Sequence, residues 1–457
     1  MAKTAYFTLF ALVGALLVYL DVGIRRTAGV GGEEGPSYRV MLLGFDGADP
    51  EFLNYLVSTD KLPNFQRLME EGAYAACQTF KPTKSVVIWT SIATGKRMEK
   101  HGIVDWMLLS PDGKKRVMAT GNARRTEALW NIASDAGKGV QILNWWATWP
   151  VEPVKGEMVS NHFPKSLHRE MGEVAYPDVL ARELESVLSG MDREAAKERM
   201  RAAGISVYSR ELAESAFRPS DNFRKRFQTS VGNYHEDMLV DRAAHYLLDT
   251  RGQRDLFAVL FRNLDIFSHF MWRFIDRRTA SQVFRLLRER QAALTREIDE
   301  TMNEAYARVL EAVYVHEDRR LGRLMEKAGP DTVVMVVSDH GFQFRNYGFN
   351  HYDHGEGGVK APPGVIFLWG PPVRRNVRLR SPTVFDVAPT ALYLMGLPVG
   401  RDMDGRVLTE ALVPQLFAKR PVAWIPTHDS GRRGGEPRSS PIDEDVLNEL
   451  KTLGYVR

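Results

Sequence analysis

A chain of 457 residues, 44% of them hydrophobic and 26% charged, has room for one large α/β domain with insertions or for two or three smaller domains. The formal net charge of +4 is too small at this length to argue for a nucleic-acid partner, and no nucleic-acid-binding module is apparent. The single cysteine, Cys77, lies between Ala76 and Gln78, so it excludes an internal disulfide and a cysteine metal knuckle and leaves the compartment open.

Residues 5–20 form an apolar run interrupted only by Tyr6, Thr8 and Tyr19, after one charge at Lys3. The run is longer than the core of a usual export signal, slightly short for a full span, and has no small-x-small cleavage site before Asp21. It reads as a membrane anchor over residues 1–26, with a cleaved export signal or a buried helix as alternatives. Anchor or signal would put the remainder outside the cytoplasm, although Arg25 and Arg26 run against the positive-inside rule. Residues 27–38, rich in Gly and Glu, follow as a linker.

Arg39–Phe45 has the unbroken apolar character of a strand buried on both faces, and it ends in Asp46-Gly47-Ala48-Asp49. Pro50 and the spacing of Phe52, Leu53, Tyr55 and Leu56 predict a helix after it, and residues 63–72 predict an amphipathic helix closed by glycine. A helical run through Ile88, Trp89, Ile92 and Ala93 follows the loop Pro82-Thr83-Lys84-Ser85. Ser85 therefore falls at a loop-to-helix junction, where backbone N–H groups favour an anion; capping the helix is the simpler use of a serine there.

Residues 139–143 form another strand, leading into Asn144, Trp145, Trp146 and Trp149, tryptophans that either line a pocket or pack as core. Residues 157–254 are charged and mostly helical with no clear buried strand, as expected of an insertion or cap over a sheet. Residues 255–261 resume the buried-strand pattern and end at Arg262; Asp265 and His269 then share one face of a helical turn. A helical region spans 279–328. The central strand Thr332–Val337 runs into Ser338-Asp339-His340-Gly341, either a strand-ending turn or a metal site. The loop 350–358 carries His351, Asp353, His354 and Glu356. A strand at 365–369, a helix over 384–394 interrupted early by Pro389, a surface turn at 402–405, a flexible loop over 427–441 and a helix over Asp443–Leu453 complete the chain.

Three strand ends thus carry Asp46, Asp265 with His269, and Asp339 with His340, while the next loop adds His351 and His354. Carboxylates and imidazoles converging on one sheet edge beside a hydroxyl are what a two-metal site requires. At these residues the chain resembles the alkaline phosphatase superfamily, specifically its type I phosphodiesterase/nucleotide pyrophosphatase branch. The motifs are Gly44-Phe45-Asp46-Gly47, Pro82-Thr83-Lys84-Ser85, Thr94-Gly95 with His101-Gly102-Ile103, Asp265 with His269, Ser338-Asp339-His340-Gly341, His354-Gly355, and Phe385-Asp386-Val387-Ala388-Pro389-Thr390 with Gly396-Leu397-Pro398. They run in consistent order from residue 39 to 408, with 157–254 matching poorly.

The resemblance implies an α/β catalytic domain over 39–426, its mostly parallel central sheet flanked by helices on both faces and carrying the 157–254 helical insertion, before the loop and helix of 427–457. It implies two divalent ions, one held by Asp265, His269 and His354, the other by Asp46, Asp339, His340 and Ser85 Oγ. His351 is the alternative to His354, which is preferred because the family places glycine directly after the ligand. Mixed N/O ligation suits zinc, with manganese or magnesium as alternatives. Ser85 would be the nucleophile, through a phosphoseryl intermediate, acting on a small phosphate ester or nucleotide. Where matching nucleotide pyrophosphatases carry a phosphoryl-binding Asn, this chain has Trp106; Lys84 and Asn144 are the substitutes considered. A phosphomonoesterase or lipid head-group phosphotransferase of the same superfamily is the alternative function. A formylglycine sulfatase is disfavoured because Cys77 lacks the Cys-x-Pro-x-Arg context, and a non-catalytic metal-binding protein because no expected ligand is missing.

Overall fold

The structure, a computed structural model, describes residues 36–110, 113–167, 169, 171–205, 221–272, 300–344, 352–353, 360–431 and 433–455. The anchor and most of the linker, together with His351 and His354, lie outside the described residues. Among those described, no helix is long and apolar enough to cross a membrane.

Nine strands form one sheet: β1 (Arg39–Phe45), β2 (Ala73–Cys77), β3 (Val140–Leu143), β4 (Gly156–Val159), β5 (Ala175–Tyr176), β6 (Leu256–Phe261), β7 (Thr332–Val337), β8 (Gly364–Trp369) and β9 (Val377–Arg378). Their spatial order is β9-β2-β8-β7-β1-β6-β3-β4-β5. β7, β1, β6, β3 and β4 run parallel, while β8 and β5 oppose their neighbours. Every residue of β3, β6 and β7 is buried, as is β1 after Arg39. Successive strand side chains point to opposite faces, so these unbroken apolar runs require cover on both sides, which is why they sit centrally.

Register decides where the chemistry emerges. Gly44 of β1 lies level with both Leu260 of β6 and Val337 of β7, so all three strands stop together. Asp46, Arg262 and the Ser338–His340 turn therefore leave the sheet at one edge, outside the carboxyl ends of adjacent strands. The helices that matter below are α1 (Pro50–Ser58), α2 (Pro63–Glu71), α3 (Ser85–Thr94), α4 (Asp221–Arg251), α5 (Asn263–Met271), α6 (Glu300–Met325), α7 (Val387–Leu394) and α8 (Asp443–Leu453).

Three expectations change. The 157–254 segment, read as lacking a buried strand, supplies β5 and most of β4; Glu157 masked the pattern, yet its carboxylate is buried against Arg251 and Arg254. Pro389 does not interrupt a helix. A 3₁₀ turn over Val384–Asp386 precedes α7, and Pro389 occupies the first turn of α7, where its missing N–H costs nothing. The 427–441 loop is tied down rather than loose: Asp429 binds the buried Lys96 ammonium at 2.7 Å, Arg433 pairs with Glu127 at 2.6 Å and with Glu152, and Gly435 N donates to Asn122 O at 2.8 Å. Its glycines and serines suggested freedom, but buried partners elsewhere supply the hydrogen bonds that hold it.

Candidate active site

Backbone contacts lock the three strand-end loops together. Asp46 N extends the β1–β6 ladder by donating to Phe261 O at 2.9 Å. The next residue, Gly47, has φ +76° and sits so close to α5 that a Cβ there would lie 2.6 Å from Asp265 Cα. Only glycine allows both that conformation and that approach. Ser338 Oγ accepts from Ala48 N at 2.8 Å and donates to His340 O at 2.9 Å, joining the β1 and β7 loops. Asp49 caps α1 by accepting from Glu51 N and Phe52 N, and its other oxygen accepts from Phe342 N at 3.3 Å. At the start of α5, Asp237 of α4 accepts from Arg262 N and Asn263 N at 2.8 and 3.0 Å, which fixes the helix carrying Asp265 and His269.

The side chains these loops present form one buried cluster. A carboxylate oxygen from each of Asp46 and Asp265 and a ring nitrogen of His340 lie within 4.8 Å of one another. His340 Nε2 is 3.5 Å from Asp46 Oδ1, 3.4 Å from Asp339 Oδ2 and 3.9 Å from Asp265 Oδ1. His269 Nε2 is 3.3 Å from Asp265 Oδ1, one helical turn away as the i, i+4 spacing requires. Ser85 is the first residue of α3; the capping position is Lys84, and no side chain caps the helix. The serine hydroxyl instead donates to Asp46 Oδ1 at 3.3 Å. The second oxygen of Asp46 accepts from the indole N–H groups of Trp89 at 3.0 Å and Trp146 at 3.4 Å.

This donor set fits a divalent cation on two grounds. His340 Nδ1 lies 3.1 Å from Gly341 O, a carbonyl that only accepts, so Nδ1 carries a proton and Nε2 is the ring nitrogen that faces the carboxylates, where it can serve as a ligand. Such an arrangement is reconciled by a cation. The carboxyls carry the same message. Burial, followed by the charges of Asp339 and Asp265, pushes the Asp46 carboxyl well above the usual range, and burial with the charge of Asp265 lifts Asp339 to about 8.

Because the Asp339 carboxyl rises from 3.8 to about 8, the metal-free native state keeps a proton that the unfolded chain has lost between those values, and stability falls as pH rises through that window. The melting temperature in EDTA is expected to drop between about pH 5 and about pH 9, and zinc to restore it at the upper end. A flat profile would mean that these carboxylates are ionised throughout.

The family described as type I phosphodiesterase / nucleotide pyrophosphatase matches residues 40–356, more than half of the chain. The chain belongs to that family. The chain is 38% identical over 99 residues to a 2,3-bisphosphoglycerate-independent phosphoglycerate mutase of Cereibacter sphaeroides, a stretch covering 21% of this chain and only 18% of that enzyme. Among solved structures, wild-type alkaline phosphatase PafA superposes with a TM-score of 0.50 at 10% identity, over 83% of this chain and 99% of that one. Murine ectonucleotide pyrophosphatase/phosphodiesterase 5 gives 0.43 at 11% identity, over 79% and 95%. PafA bears out the alkaline-phosphatase-like α/β fold expected from the sequence.

Within this phosphodiesterase-family fold, Asp46, Ser85, Asp265, His269, Asp339 and His340 come together. His354 lies outside the described residues. Of the three substrate-binding candidates, Trp106 lines the same cavity as Ser85 and Asp46, its ring 5.0 Å from that of Trp146. Lys84 pairs with Asp105 at 2.7 Å, and neither it nor Asn144 lines the cavity. Asn144 adopts φ +56° after β3 and donates its side-chain amide to Leu260 O at 2.9 Å, a contact that joins β3 to β6. Sequence reasoning left out Trp89, although it sits one turn after Ser85 on the same helix face, and it left Trp146 undecided between pocket and core. Arg262, Glu449 and Tyr455, which complete the cavity wall, were not singled out.

Proposed function

We propose that the chain hydrolyses phosphodiesters or nucleotide pyrophosphates, with Ser85 as nucleophile and two divalent ions, zinc by preference, in the site. Asp46, Asp339, His340 and Ser85 Oγ would hold one ion; Asp265, His269 and His354 would hold the other. Bound there, the ions supply the positive charge that lowers the pKa of a coordinated hydroxyl and offsets the clustered carboxylates for an anionic substrate.

The chain's own residues supply the positioning. Asp46 Oδ1 aims the serine hydroxyl, and the Trp89 and Trp146 indoles fix the opposite carboxylate oxygen so that this orientation is kept. The amino end of α3 presents backbone N–H groups toward charge developing on phosphoryl oxygens. Ser85 Oγ loses its proton and forms a bond to phosphorus as the bond to the leaving alcohol or phosphate oxygen breaks, and that oxygen takes up a proton where it leaves as an alcohol; water then adds its oxygen to phosphorus as the Oγ–P bond breaks, and a proton returns to Ser85 Oγ. The observation that carries this reading is that the Ser85 hydroxyl is directed at Asp46 rather than spent on capping α3.

Residues 1–26 are proposed as a membrane anchor or export signal, which puts catalysis on small phosphate esters outside the cytoplasm. The test of the reaction is hydrolysis of bis-p-nitrophenyl phosphate against p-nitrophenyl phosphate by the purified protein with zinc or manganese. Faster turnover of the diester, abolished by chelator, is expected. Preference for the monoester would move the assignment to a phosphomonoesterase.

A further inference from the structure

The cavity that contains Ser85, Asp46 and Asp265 is nearly full: about 10 Å³ remains, roughly the space of one water. A phosphoryl group does not fit beside what fills it. The filling comes from α8 and the residue pair after it, as Glu449, Leu450, Leu453 and Tyr455. Tyr455 Oη donates to Asp265 Oδ2 at 2.9 Å and lies 3.1 Å from His269 Nε2, with its ring 5.3 Å from Trp106. A phenolic oxygen thus stands against the carboxylate and imidazole assigned above to an ion.

One turn earlier, Glu449 engages two cations. Lys165 Nζ is 2.7 Å from Glu449 Oε2 and Arg262 Nη1 is 3.5 Å from Glu449 Oε1. Both cations also pair with Glu236 of α4, and Arg262 stacks over the Trp146 ring at 5.1 Å. None of these four side chains is more than 12% exposed. Two buried cations therefore share two carboxylates, one from the body of the domain and one from α8. If α8 leaves, Glu236 keeps its pairs with both cations and the charges of Asp237 and Asp46 still act on Arg262, while the place of the Glu449 carboxylate is left for a single anionic group. Beyond α8 lies an open cleft of about 660 Å³; Glu449 lines both this cleft and the reaction cavity, so displacing the helix joins them.

We propose that Arg262 and Lys165 form an anion subsite beside the nucleophile, that Glu449 occupies it as an internal carboxylate, and that α8 with Tyr455 is a plug displaced by substrates carrying a second acidic group besides the scissile phosphate. The proposal rests on the hydrolase reading above. It selects diesters with an additional carboxylate or phosphate over those without one.

Two p-nitrophenyl esters with the same leaving group test the subsite: methyl p-nitrophenyl phosphate and its carboxymethyl counterpart. The full-length protein with manganese is expected to show a KM roughly 10-fold or more lower for the carboxymethyl ester, as a new charge-assisted contact implies, and Arg262→Gln to erase that difference. Equal KM values in the parent overturn the subsite. The plug is tested by Arg169→Cys with Asp445→Cys, two exposed partners 2.6 Å apart that tie the α8 segment to the domain body, cross-linked through a bis-maleimide. Cross-linking is expected to stop turnover of both esters; unchanged turnover overturns the plug while leaving the hydrolase intact. A readout independent of turnover is amide exchange over residues 443–455, with manganese present. It should rise on adding pyrophosphate and not on adding inorganic phosphate. Unchanged exchange overturns the plug even if neither ester is hydrolysed, an outcome that would by itself count against the hydrolase reading.

Discussion

Replacing Ser85 with alanine is expected to lower hydrolysis of bis-p-nitrophenyl phosphate by at least about 10³-fold, close to 4 kcal/mol of barrier, with little loss of stability. Both halves of that expectation come from the position of the hydroxyl. It donates to Asp46 and caps nothing, so α3 keeps its amino end when it is removed. What the fold loses is the hydrogen bond to a buried carboxylate and a contact with Tyr455, worth about 1–3 kcal/mol. A capping serine would give the reverse pattern, a less stable helix and modest kinetics. Steady-state rates and melting temperatures on the same preparation separate the two; a rate within tenfold of the parent's removes Ser85 from the role of nucleophile.

Asp339→Asn is expected to cut zinc affinity by at least about 100-fold and hydrolysis with it, while leaving the metal-free protein as stable as the parent or more so above about pH 8. The carboxyl stands 3.4 Å from His340 Nε2 and is raised to about 8 by burial and by the charge of Asp265. A neutral amide of the same shape removes that repulsion and one ligand together. Calorimetric titration with zinc and thermal melts in EDTA give the two readings. A variant that binds zinc as tightly as the parent would show that Asp339 is not a ligand.

Much of the site could be read before any coordinates, for a local reason. A run such as Thr332–Val337 is apolar at every position only if both faces are covered, and such strands deliver their next residues to the binding edge of an α/β sheet. Asp46, Asp265 and Asp339 each follow such a run within a few residues, and His269 follows Asp265 by one helical turn. Strand β4, next to the edge strand β5, escaped notice because its glutamate is neutralised by arginines about a hundred residues later, a pairing that hydrophobic pattern does not encode. The 427–441 segment has a loop's composition, and its order comes from Lys96, Asn122, Glu127 and Glu152, which are distant in the chain.

By itself, then, the chain order of residues determined the strand ends, the carboxylates and imidazoles that follow them and the family, because strand length, burial and helical spacing act over a few residues. Only the tertiary structure decided that the Ser85 hydroxyl faces Asp46, that Trp89 and Trp146 hold that carboxylate, and that Glu449 and Tyr455 fill the cavity. Those contacts join residues 39 or more positions apart, and their geometry depends on how α3 and α8 pack onto the finished sheet.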